Sequence, residues 1–173
     1  IAKIVHEKNL QSTEQKINYF KSKKRIGLDM TFSHAKDLSV LCLLYDNRAH
    51  EIVRDEMKKM VDKVNEHLIY TRGYTETGER VREKAEALIQ VFEHHTTRSL
   101  DPELHYHCFV SNTVLRSRDN ALVSLSSEKL FDASHTLRIE TNYRLASRLM
   151  NELGFNAYLD HRGALRVSED DRI

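Results

Sequence analysis

Residues 92–112, FEHHTTRSLDPELHYHCFVSN, limit the fold more than any other stretch. They hold four of the ten histidines and the only proline, Pro102. Residues 88–94 and 104–113 are apolar and β-leaning, and side chains alternate between the two faces of a strand. Gln90, Phe92 and His94 then share one face of the first strand. His105, His107, Phe109 and Ser111 share one face of the second. The polar connector 96–103, with Asp-Pro near its end, suits a loop between neighbouring antiparallel strands. With the two faces aligned, His94 meets His105 and His107, and three imidazoles converge. Such a cluster is a divalent metal site with coordination positions left open for water or substrate. Two histidines on one strand face are often coincidental surface residues, and it is the third, at the facing strand end, that shifts the balance. His95 points to the opposite face and is the weaker ligand candidate.

The order Phe92, His94, Thr96, Arg98, Asp101, Pro102, Leu104, His105, His107, Asn112 resembles the three-histidine motif of the conjugative relaxases of the TraI/TrwC type. A second block, residues 25–40 (RIGLDMTFSHAKDLSV), resembles that family's GxDLTFSAPKSVS segment, and the two blocks occur in the family's order. Two departures stand out. Tyr106 replaces a usual threonine, and His95 replaces a usual acidic residue.

The resemblance implies an α/β domain with a mainly antiparallel sheet and helices packed on it. It implies a metal-dependent DNA strand transferase that nicks one strand at a plasmid transfer origin and keeps the 5′ end on a tyrosine. The expected cofactor is a divalent ion, Mg2+ or Mn2+, held by His94, His105 and His107. Asp29 matches the aspartate of the GxDLTFS block. Its physical role there would be to accept the second ring N–H of a metal-bound histidine; otherwise it is a solvent-facing strand residue. Tyr19, the only tyrosine ahead of Asp29, is the positional candidate for the nucleophile. Its ten-residue separation from Asp29 is much shorter than the family's, and it stands alone where the family commonly has paired tyrosines. Lys36 and Arg98 match basic positions of the two blocks and are expected to contact DNA. Accessory conjugation proteins are further expected partners.

The chain has 173 residues, 40% hydrophobic and 31% charged, which suits a single globular domain over 1–173. Ile1 is not a natural start, so the chain reads as part of a longer protein. Two cysteines, Cys42 and Cys108, make no disulfide framework, and a reducing cytoplasm is the expectation. No run of eighteen apolar residues is present, so no membrane-spanning helix is expected. No P-loop signature is present, which excludes a helicase motor of that kind within this chain. A net charge of +1 does not announce nucleic acid. However, Lys16, Lys21, Lys23, Lys24 and Arg25 form a basic cluster which, with Arg72, is a candidate for phosphate contacts and equally a solvated surface.

Periodicity places a short strand at 1–5, a helix at 14–24 capped by Ser12 or Thr13, and a strand at 26–32. It then places a helix from Ser33 to about Tyr45 with Leu38, Leu41, Leu44 and Tyr45 inward. Residues 49–69 form the clearest amphipathic helix, with Ile52, Val53, Met57, Met60, Val61, Val64 and Leu68 as a core stripe. Residues 71–82 read as a polar loop or hairpin, 116–120 as a turn and 121–125 as a strand. Ser126 and Ser127 cap a short helical turn, and a separate helix runs from Ser134 to Leu153, with Gly154 as its stop. Residues 155–167 read as a hairpin. Two other functions fit the same residues: a DNA-binding module that has lost catalysis, favoured by Tyr106 and the N-terminus, and a metal phosphohydrolase that uses water.

Overall fold

The structure is a computed structural model that describes residues 25–168. The strand at 1–5, the helix at 14–24, Tyr19 and the lysines of the basic cluster lie outside the described residues.

Strand β1 (Gly27–Ser33) alternates as its sequence requires: Leu28, Met30 and Phe32 turn toward the core, Asp29, Thr31 and Ser33 away from it. Ser33 ends this strand rather than capping a helix. Helix α1 (Lys36–Val40) starts after Ala35, and its last turn continues into a π-helical turn, Leu41–Tyr45. The wider turn breaks the 3.6-residue period. Leu44 and Tyr45 are therefore 65% and 74% exposed, not inward, while Leu38 is fully buried.

Asp46 caps helix α2 (Asn47–His67) by accepting a 2.8 Å hydrogen bond from the Arg48 amide. The predicted stripe is real. Ile52, Val53, Met57, Met60 and Val64 are buried, with Val61 and Leu68 at its margin. Each fully buried side chain of this kind contributes about 1.5–3 kcal/mol relative to exposure, so packing more than intrinsic propensity holds the helix.

Strands β2 (Tyr70–Tyr74) and β3 (Arg80–Thr96) form a hairpin, followed by β4 (Pro102–Arg116) and β5 (Leu122–Ser126). All pairings are antiparallel, in the order β1-β4-β3-β2-β5. Strand β3 lines one edge of β4. The other edge is shared: β1 takes residues 105–111 and β5 takes 113–115. Because β5 also pairs with β2, one end of the sheet curls closed, and among the described residues no such closing pair forms at the histidine end.

Helix α3 runs unbroken from Glu128 to Leu153, with Ser127 at its N-cap and left-handed Gly154 (φ 72°) ending it. A short helical turn followed by a separate helix from Ser134 is not what forms. Leu130, Leu137, Leu145 and Leu149, all buried, keep one face continuous through Ser134, whose hydroxyl donates to the Phe131 carbonyl. A final hairpin, β6 (Asn156–Leu159) and β7 (Leu165–Ser168), packs on α3.

Helices α2 and α3 are joined by a charge network around Glu56, which is 1% exposed and accepts from Lys59, Arg144 and Arg148. Burial alone would raise its pKa, but the hydrogen bonds from these three cations outweigh it and the net shift is downward. A lowered folded-state pKa stabilises above the ordinary carboxylate range, and that contribution is lost as pH falls through the folded value. Glu56→Gln is expected to cost about 1–3 kcal/mol in urea unfolding at neutral pH, with the deficit against the parent shrinking in acid.

Candidate metal centre

The alternation of β4 divides its residues cleanly. Leu104, Tyr106, Cys108 and Val110 are buried against the helices, while His105, His107, Phe109 and Ser111 lie on the opposite, open face. In the β3–β4 register His94 stands directly opposite His105, and Phe92 opposite His107. Partners opposite one another place their side chains on the same face. The three imidazole rings therefore meet, with centroids 5.1 Å (His94–His105), 5.1 Å (His94–His107) and 5.4 Å (His105–His107) apart. One nitrogen from each lies within 4.8 Å of the others. The connector that brings the strands together is tight. Thr97 accepts amide hydrogen bonds from Ser99 and Asp101 on its hydroxyl, and Leu100 takes a left-handed conformation (φ 66°).

Two rings are oriented by their other nitrogen. His105 Nδ1 lies 3.1 Å from the Glu103 carbonyl oxygen, which can only accept, so Nδ1 carries a proton and Nε2 is the nitrogen left to face an ion. His107 Nδ1 lies 2.7 Å from Asp29 Oδ2 and 3.3 Å from the Thr31 hydroxyl. Asp29 is opposite Phe109 across the β1–β4 pair, one diagonal step from His107, and so reaches the ring from the open face. Neutral imidazoles with one nitrogen tied to an oxygen acceptor are the arrangement found around bound metal ions. The donor set fits a divalent ion.

Of the other expected site residues, Arg98 is exposed in the 97–101 turn that joins the two histidine strands. Lys36 is exposed at the start of α1. Arg72 sits on the β2–β3 hairpin, where it shares Glu128 with Arg80 and Arg82. The structure thus brings Asp29 to the triad, leaves Arg98 exposed in the connecting turn, and engages Arg72 in an ion-pair cluster. The Tyr106 departure does not touch the site: its ring is buried on the helix side, and burial pushes its phenol pKa strongly upward. The argument from Tyr106 against catalysis loses its basis.

Sequence reasoning passed over Glu93, His50 and Arg54. Glu93 turns to the helix side of β3, where Arg54 of α2 holds it through two 2.8 Å hydrogen bonds, His50 lies at 2.9 Å and His95 at 2.6 Å. Arg54 first, then His95 and His50, hold the Glu93 carboxyl far below the usual range against the opposing effect of burial. The spacing of Glu93 and His95, two apart, was the same signal as that of His105 and His107.

Replacing Asp29 by Asn keeps the shape but removes the charge that holds the His107 ring. Metal affinity, read by calorimetric titration, is expected to fall by about 10- to 100-fold with the fold intact. Unchanged affinity would return Asp29 to an ordinary exposed strand position.

The sheet and its open face define an α/β domain built around a three-histidine candidate metal centre. Residues 2–169 match the family model described as TrwC relaxase, and the chain belongs to that family. It is 29% identical over 113 residues to the multifunctional conjugation protein TraI of Escherichia coli, a match covering 63% of this chain and 6% of that protein. The K12-strain TraI is 26% identical over 135 residues, covering 76% and 7%. A metal-bound structure of the conjugative relaxase TrwC in complex with oriT DNA superposes with a TM-score of 0.76 at 28% identity, covering 88% of this chain and 52% of that one. TrwC complexed with a 27-mer DNA comprising the recognition hairpin and the cleavage site gives 0.76 at 27% identity, covering 87% and 53%. The chain therefore spans about half of the solved TrwC chains and less than a tenth of the curated relatives. Among the described residues no helix is long and apolar enough to cross a membrane.

Proposed function

We propose that this domain is a conjugative relaxase that binds one DNA strand at a transfer origin and cleaves it by tyrosine attack, with help from a divalent ion. The observation that carries the reading is the convergence of His94, His105 and His107 on an open sheet face, with Asp29 bonded to His107. The membership in the TrwC relaxase family and the oriT complexes of TrwC support it. His94, His105 and His107 would hold the ion through neutral nitrogens, so its charge is not offset by anionic ligands. A bound divalent ion supplies Lewis-acid stabilisation of the non-bridging phosphate oxygens. Three nitrogen donors suit a first-row transition ion better than Mg2+, so of the two ions expected from sequence Mn2+ is the better match.

The nucleophile in this reading is the Tyr19 hydroxyl. Its oxygen forms a bond to phosphorus, the bond from phosphorus to the 3′ oxygen breaks, and that oxygen leaves with the electron pair and takes up a proton. The tyrosine has lost its own, so protons balance, and the 5′ phosphate stays on the protein. Arg98 and Lys36, both exposed, would contact phosphates of the strand, and Arg72 would do so by exchanging Glu128 for a phosphate. Accessory conjugation proteins would present the strand.

The test is incubation with Mn2+ and single-stranded oligonucleotides carrying candidate transfer-origin sites, followed by denaturing electrophoresis. A covalent protein–DNA band is the expected result. Cleavage without a band would point to a water-using phosphohydrolase, and salt-sensitive binding without cleavage to a DNA-binding module.

A further inference from the structure

Strand β3 carries Glu93, His94 and His95 in succession, so the alternation that sends His94 to the open face sends its two neighbours to the helix face. There they meet His50, from the first turns of α2. His50 Nε2 lies 2.9 Å and His95 Nε2 2.6 Å from the same atom, Glu93 Oε1. The His50 and His95 ring centroids are 5.5 Å apart, close to the 5.4 Å between His105 and His107. The three donor atoms lie within 4.8 Å of one another, as the triad's do. His50 is 6% exposed, so the cluster is walled by α2 on one side, while exposed His95 leaves the other side open to solvent.

We propose that His50, Glu93 and His95 form a second divalent transition-metal site, on the opposite side of the sheet from the triad. Two imidazoles and one carboxylate are a donor set that binds Zn2+ and Fe2+ and leaves coordination positions for solvent. Metal–ligand bonds of about 2.0–2.2 Å place neighbouring donors about 3–3.5 Å apart, so the donors on Glu93, now at 2.9 and 2.6 Å, would move apart slightly to admit the ion. Without an ion each Nε2 donates to the Glu93 carboxylate; with one, each ring carries its proton on Nδ1 instead and presents Nε2 as a lone pair. Arg54 bonds both carboxylate oxygens; its Nη2 gives way at Oε1 to the ion, while its Nε keeps the 2.8 Å bond to Oε2 and orients the ligand. The ion would pin α2 to the strand that carries His94. Nothing in this proposal depends on what the triad binds.

The test uses the whole chain with the triad disabled by His94→Ala and His107→Ala, compared with the same protein also carrying His50→Gln and His95→Gln. Glutamine keeps a hydrogen-bond donor toward Glu93, and circular dichroism checks that both proteins fold. Zn2+ uptake is measured by equilibrium dialysis and elemental analysis. One equivalent is expected on the first protein and none on the second. In parallel, Co2+ added to the first protein is expected to give visible ligand-field bands from mixed nitrogen and oxygen coordination. No uptake by the first protein, or equal uptake by both, overturns the site. Should the second protein fail to fold, absence of the Co2+ bands in the first overturns it alone.

Discussion

His107→Ala is expected to leave the fold intact and to reduce metal-dependent strand cleavage by about 1,000-fold or more. The ring is half-exposed on the open face, so its removal leaves no cavity among the helices. What disappears is one of three nitrogen donors and, with it, the route by which Asp29 acts on the site. An ion at a transferring phosphate contributes several kcal/mol, and each 1.36 kcal/mol is a factor of ten in rate. His94→Ala and His105→Ala are expected to match it, because the three rings form one cluster. His95→Ala, whose side chain faces the helices, is expected to leave Mn2+-dependent cleavage near the parent rate. Single-turnover cleavage across a Mn2+ titration measures all four. Parent-like cleavage by His107→Ala would remove the ion from the mechanism.

Tyr19→Phe carries the other large effect. It deletes one hydroxyl and no apolar surface, so DNA binding should persist while cleavage drops by at least about 10,000-fold, the scale of losing a nucleophile. The covalent band should vanish with it. Tyr106 is no substitute, being buried on the wrong side of the sheet with its phenol pKa pushed up. A covalent band that survives the substitution would transfer the role to another tyrosine.

The parts of the fold that could be read in advance were those where one simple periodicity governs. The α2 stripe repeats every three or four residues, and the histidine strands alternate, so their faces followed from spacing alone. Strand β3 is much longer than residues 88–94, and its first half, RVREKAE, escaped notice because charged Glu83 interrupts the inward series Val81, Glu83, Ala85. Inward-facing Glu83 sits there only because Arg116 and Arg118 reach it from across the sheet, which local sequence does not reveal. The π-helical turn hid for a related reason: one extra residue per turn shifts every later residue off the expected face. At the site, the three histidines came from alternation, whereas Asp29 needed a resemblance to be singled out, since its contact with His107 spans 78 residues of sequence. The Glu93 cluster lay in plain view but required knowing that α2 delivers His50 and Arg54 to that face.

That long span has a consequence for how the chain is made. His94 and His105 are eleven residues apart on one hairpin, so the ligand set can assemble as soon as a short loop closes. Strand β1 has a harder schedule. Among the described residues its backbone pairs only with β4, at 105–111. On a ribosome adding about 5–20 residues per second, the 78 residues from Asp29 to His107 take roughly 4 to 16 s. Through that interval Leu28, Met30 and Phe32 wait without the sheet that will cover them, an exposed sticky edge of the sort chaperones hold. The strand that carries Asp29 is thus also one that the nascent chain must hold unpaired for a long interval.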